Sequence, residues 1–177
     1  APPIFSVAPG NYPVAQSVTL SSPTAGVTIY YTTNGSIPTT ASTVYVAPIP
    51  VAANTAIRAI AVNANAQILP SRIETNTYFI GETSNFDVVS VCGPYTAAST
   101  TTGGWLFSGG APAIFSSIEY FDKNFNHQLE LEGRASRHGN DSWAYQQKGI
   151  DFEAMDETGT AAQFDKKLFS TTLRDKF

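Results

Sequence analysis

Val27-Thr28-Ile29-Tyr30-Tyr31-Thr32-Thr33, followed by Asn34-Gly35-Ser36-Ile37-Pro38-Thr39, is the stretch on which the fold turns. Its period is two. Val27, Ile29 and Tyr31 fall on one face and Thr28, Tyr30 and Thr32 on the other, the alternation of a half-buried strand. Asn34-Gly35 then supplies the turn chemistry that ends a strand. The same reading extends outward. Short runs rich in β-branched and aromatic residues, separated by Pro, Gly and Asn, predict strands at Ile4–Val7, Ser17–Ser21, Val44–Val46, Ala56–Val62 and Ile73–Ile80. Pro38, Pro48 and Pro50 cannot sit inside a central strand, so they mark edges and connections. No helical period appears in this part of the chain. Six or seven short strands in so few residues predict a β-sandwich.

Charge divides the chain. Up to residue 84 the only charged side chains are Arg58, Arg72, Glu74 and Glu82, and every other one comes later. Such a shift suggests a boundary. The polar, turn-prone Gly81-Glu82-Thr83-Ser84-Asn85 reads as the linker between a domain over 1–82 and a second over 86–177. The second part predicts a smaller β-rich module with minor α content. Phe86–Cys92 reads as a buried strand. Phe115–Phe121, the turn Asp122–Asn126 and a strand starting at Leu129–Glu132 read as a hairpin. Lys148–Ala154 reads as a further strand, and Phe164–Phe177 as a short helix. Mainly β, a sandwich followed by a smaller β-rich unit, is the fold class expected.

A net charge of −4 argues against nucleic-acid binding, which needs a basic stripe to neutralise phosphates. No apolar run approaches the roughly 20 residues that span a bilayer. With Cys92 the sole cysteine, no internal disulfide can form, and its apolar surroundings make it a small buried hydrophobe. A Cys-poor chain rich in Thr, Ser, Asn and Gly fits a secreted or surface-displayed bacterial protein. Its opening Ala1-Pro2-Pro3 reads as that of a mature protein or an excised fragment.

Two resemblances add to this reading. Tyr30-Tyr31-Thr32-Thr33-Asn34-Gly35-Ser36-Ile37-Pro38, then Tyr45-Val46-Ala47-Pro48-Ile49, then Ile57-Arg58-Ala59-Ile60-Ala61 reproduce in order the three motifs of the chitobiase/β-hexosaminidase C-terminal domain family. Residues 3–80 resemble that family. The resemblance implies an accessory immunoglobulin- or fibronectin-III-like fold, used for spacing, surface presentation or glycan contact, without catalysis. Residues 86–177 resemble the opening of the spore-coat CotH kinase-like family. His138-Gly139, Ser142, Gln147-Lys148, Asp156-Glu157-Thr158-Gly159 and Leu168-Phe169 carry that likeness, while Trp143 and Gln146 depart from it. It implies a nucleotide-facing role for Lys148, Arg137 and His138, and ATP with Mg as cofactors of a longer parent. The acidic metal-binding and catalytic residues of that family fall in a part that would lie beyond Phe177.

The residues themselves complete no active site. No phosphate-cradling Gly-rich loop with a following Lys-Ser/Thr occurs. One cysteine and two histidines, His127 and His138, make no zinc set. Asp122-Lys123-Asn124-Phe125-Asn126 begins like a calcium loop. It then places His127 and Gly133 where Gly and an acid are needed, so it reads as a hairpin turn. Glu130/Glu132 and Asp151/Glu153 are each two apart on a strand, and solvated faces account for both pairs. Trp105, Trp143, Tyr30, Tyr31 and Tyr45 could stack on sugars, but neighbours Tyr30 and Tyr31 must point to opposite faces. The expectation is a chain with no catalytic residues, no metal site and no cofactor of its own. Its expected role is structural or adhesive, with other surface proteins, a second copy of itself or glycans as partners. The alternatives are the front of a CotH-like kinase and a carbohydrate-binding module.

Overall fold

The computed structural model describes residues 1–95, 113–138 and 150–155. All elements among them are strands. β1 (Ile4–Phe5), β2 (Gly10–Tyr12), β3 (Gln16–Val18), β4 (Leu20–Ser21), β5 (Val27–Thr32), β6 (Thr43–Val44), β7 (Ile49–Val51), β8 (Thr55–Asn63) and β9 (Glu74–Ile80) build the first part. β10 (Val88–Cys92), β11 (Ile114–Phe121), β12 (His127–Arg137) and β13 (Ile150–Ala154) build the second. The helix expected over Phe164–Phe177 lies outside the described residues.

The first part is sandwich-like. A five-stranded sheet of order β2-β9-β8-β5-β6 faces two short pairs, β1-β4 and β3-β7. The period-two reading of β5 explains why. Ile29 is buried, with Val27 and Tyr31 packed beside it, in a cluster with Val18, Leu20, Ile49, Val51, Ile57 and Tyr78. Two strands escaped the sequence reading. Gly10-Asn11-Tyr12 has no β-branched residue, yet it pairs in parallel with Tyr78–Ile80. Ile49–Val51 contains Pro50, which is tolerated because β7 pairs only with β3.

The second part is one antiparallel sheet, β10-β11-β12-β13. The change of sheet falls between Ile80 and Val88, where the charge changes. The linker stretch is tied down at its start: the Gly81 amide donates to the Tyr12 carbonyl (2.8 Å), and Asn11 Nδ2 donates to the Glu82 carbonyl (2.6 Å). The Phe86–Cys92 strand is shorter and less buried than expected, since Phe86 is 79% exposed and Val89 48%. At the β11–β12 turn, Asp122 accepts from the amides of Asn124 (2.8 Å) and Asn126 (3.0 Å) and from Asn126 Nδ2 (2.8 Å). Those bonds hold its carboxyl below the usual range. They spend on the turn the carboxylate that a calcium loop would need.

Candidate functional site: a buried carboxylate joint between two sheets

β8 and β9 have two sides, and the sandwich core uses one. Ile57, Ala59, Asn76 and Tyr78 point toward it or its rim. Arg58, Thr75, Thr77 and Phe79 alternate to the other side, and there the second sheet is seated. Phe79 stacks edge-on against Phe121 (centroids 5.2 Å apart, 88°) and lies 4.9 Å from Phe125. Phe125 has φ of 60°, a left-handed conformation unusual for a bulky residue, held where its ring is buried on Phe79.

Beside this aromatic contact the joint is polar. Arg58 is fully buried. Its Nη2 donates to Glu132 Oε2 (2.8 Å) and its Nη1 to the Gly35 carbonyl (3.1 Å). The Thr75 amide donates to Glu130 Oε1 (2.9 Å), and the Thr75 hydroxyl to Glu132 Oε1 (3.2 Å). The Thr77 amide donates to Glu119 Oε1 (3.1 Å), its hydroxyl donates to Glu119 Oε2, and Thr77 also meets Ser90 Oγ (2.8 Å). These glutamates do a task that β2 leaves undone. β2 pairs with β9 only from Tyr78 onward, so the amides of Thr75 and Thr77 would otherwise be open edge donors.

Glycines let the backbones meet. Gly35, at φ 80°, has its Cβ position 2.0 Å from the Gly93 carbonyl oxygen. The turn glycine that ends β5 is therefore also the point where the sandwich touches the end of β10.

Burial sets the electrostatics. It pushes the Glu119 carboxyl up to about 7, against the two Thr77 hydrogen bonds, with Glu74 and Glu132 adding to the rise. Burial, then the charge of Glu74, pushes Glu130 up to about 8. Glu74 is also raised by burial, with Arg72 opposing. His127 Nε2 lies 3.6 Å from Glu119 Oε1. Glu74 and Glu130 border two open hollows at the rim of the joint. One, of about 290 Å³, also touches Arg72 and Met155; the other, of about 520 Å³, reaches Ala1 and His127.

The expectation that Glu130 and Glu132 form a solvated face is thus overturned. Both face the sandwich, because the outer side of β9 offers donors that only acceptors can satisfy. Asp151 and Glu153 do lie on an exposed face. Sequence reading also missed Glu119, whose neighbours in Ile114–Phe121 gave no sign of its burial. Arg58 did carry a signal: a lone charge in the apolar run Thr55–Val62 demands a partner.

The nucleotide-facing residues are placed only in part. Lys148 and the side chain of Arg137 lie outside the described residues. His138 follows the end of β12, and its Nδ1 lies 2.6 Å from Asp151 Oδ1 in an exposed pair. Trp105 and Trp143 also lie outside the described residues. Tyr31 and Tyr45 pack edge-on (6.5 Å, 72°) against the sandwich core, while Tyr30 sits opposite Ile60 and Val44 on the outer side. Cys92 is buried, and burial raises its thiol to about 11. Among the described residues no three His, Cys, Asp or Glu side chains converge as a metal site. No described helix is long and apolar enough to cross a membrane.

Residues 7–69 match the chitobiase/beta-hexosaminidase C-terminal domain family. The match stops before β9 and before the second sheet, so the CotH likeness of residues 86–177 rests on its motifs alone. No curated protein and no solved structure gives a significant match to the chain. What the comparisons place is one stretch: residues 7–69 are similar to a chitobiase/hexosaminidase C-terminal-like β domain.

Proposed function

We propose that this chain is a structural or adhesive module of a secreted or cell-surface bacterial protein. In this reading an immunoglobulin- or fibronectin-III-like sandwich over 1–82 holds the β-rich unit over 86–177 in one orientation. The joint carries the reading. Side chains and edge amides are engaged across the two sheets: the Arg58 guanidinium with Glu132, the Thr75 amide with Glu130 and its hydroxyl with Glu132, and the Thr77 amide and hydroxyl with Glu119. Groups committed in this way orient one sheet on another. The family match supports the accessory character of the first sheet.

Residual dipolar couplings of backbone amides test it. A rigid spacer gives one alignment tensor for β5, β8 and β9 together with β11 and β12. Two different tensors in the wild-type chain would refute the orienting role.

A further inference from the structure

We propose that closure of the joint between the second sheet and the sandwich takes up protons, so that the sheets are latched most tightly in acid and loosen as the pH rises through neutrality. Glu119 from β11 and Glu130 and Glu132 from β12 converge on the outer side of β9, with Glu74 of β9 at their rim, and among the described residues the buried cation that meets them is Arg58 of β8. Arg58 reaches Glu132 alone of the four. The other charged or titratable neighbours among the described residues lie at the rim. Arg72 precedes β9 and faces Glu74; His127 of β12 faces Glu119; the Ala1 ammonium borders the outer hollow and donates to Thr24 Oγ1 at 3.2 Å. On the inner side the titratable neighbours among the described residues are Cys92 of β10, Tyr95 and Tyr78, none of which is cationic.

Glu119 is buried and Glu130 and Glu132 are partly so, and closing the joint with all of them ionised sets like charges against one another in a layer that water screens less well than free solution. Retaining protons on Glu119 and Glu130 removes that repulsion. The hydrogen bonds survive, because a neutral carboxyl still accepts from an amide. The direction follows from linkage. Separated from the sandwich, these glutamates titrate near the ordinary value of 4.5; in the closed joint Glu119 titrates near 7 and Glu130 near 8. Between those values the closed form holds more protons than the open one, so rising pH favours opening. The closing constant is expected to fall by at least about tenfold per pH unit between about pH 5 and about pH 7.

The proposal rests on the joint being what orients the second sheet, and one experiment separates the two. Hydrogen-exchange protection factors of the Thr75 and Thr77 amides are measured by NMR from about pH 5 to about pH 9, corrected for intrinsic exchange. The Ile29 and Ala61 amides of the sandwich serve as reference. The expected result is falling protection at Thr75 and Thr77 with little change at Ile29 and Ala61. The Glu119→Gln/Glu130→Gln double variant, which keeps one acceptor oxygen at each position for the Thr77 and Thr75 amides and removes the charge, should flatten the profile. In the wild-type chain, the side-chain carboxyl resonances of Glu119 and Glu130 should titrate with midpoints near or above neutrality. Protection that is high at every pH, parallel loss at all four amides, carboxyl midpoints near the ordinary value, or a pH profile unchanged in the double variant would each overturn the latch. Thr75 and Thr77 amides unprotected at every pH would overturn the orienting role as well.

Discussion

Arg58→Met is the sharpest test of the joint. Methionine keeps most of the stem volume and removes the guanidinium. Glu132, whose side chain is 7% exposed, then loses the cation it faces at 2.8 Å, and the Gly35 carbonyl loses its donor at 3.1 Å. Breaking a buried ion pair from one side costs about 3–5 kcal/mol, because the surviving charge stays buried. The lost bond to Gly35 adds about 1 kcal/mol. For a chain of this length each kcal/mol moves Tm by roughly 2–4 °C, so a fall of about 8–24 °C is expected. The assay is thermal and urea unfolding followed by circular dichroism, with Arg58→Met, Glu132→Met and the double variant in one cycle. The double variant should recover at least about 2 kcal/mol relative to the sum of the singles, since it leaves no orphaned charge. A single variant within about 1 kcal/mol of wild type, or strictly additive singles, would show that the pair is solvated in solution and that the joint does not close as described.

Gly35→Ala should destabilise the chain by about 2 kcal/mol or more in urea unfolding, because a Cβ would meet the Gly93 carbonyl at 2.0 Å and a non-glycine residue would be forced to positive φ. A neutral outcome would mean the two backbones are not in contact. Ser117→Ala is expected to stabilise by about 1 kcal/mol, as the buried Ser117 hydroxyl has no partner among the described residues. The same urea titration reads it, and a loss would point to an unseen hydrogen bond. Cys92 should resist a thiol-specific disulfide reagent at neutral pH and react fully once the chain is unfolded, because burial holds its thiol near 11. Rapid reaction of the native chain would show β10 to be open. ATP with Mg is expected to leave the amide resonances of Arg137 and His138 unmoved in this chain; a saturable shift there, lost in Lys148→Ala, would favour the kinase-like reading.

The sandwich was readable because local signals and global structure agree in it. The alternation at Val27–Thr32, the Asn34-Gly35 turn and the strands around Ala56–Val62 and Ile73–Ile80 all concern one core, and each can be judged over a few residues. Gly10–Tyr12 could not be read this way. Its strand character comes from Tyr78–Ile80, some seventy residues away, and nothing in its own composition announces that partner. Cys92 was legible for the opposite reason, since an isolated cysteine in an apolar run has few alternatives to burial.

The joint was illegible for a more specific reason. In β12 the alternation of Leu129 and Leu131 with Glu130 and Glu132 obeys the ordinary pattern, and that pattern says the leucines go in. It determines which residues share a face, not which face meets the neighbouring layer. Here the neighbour decides. β9 turns Thr75 and Thr77 outward with unpaired edge amides, and β8 turns Arg58 outward with nothing in the sandwich to neutralise it. An apolar face laid on that surface would leave a guanidinium and two amides buried without acceptors, each at a cost of about 1–3 kcal/mol or more. The glutamate face gives both amides an acceptor and the guanidinium an ion-pair partner at Nη2, although Arg58 Nε finds none among the described residues, and Phe121 and Phe125 supply apolar contact at one end through Phe79. The inversion could have been suspected from Arg58 alone, because an uncharged strand that admits one arginine is asking for an acid from elsewhere in the chain. Identifying that acid as Glu132 required the fold.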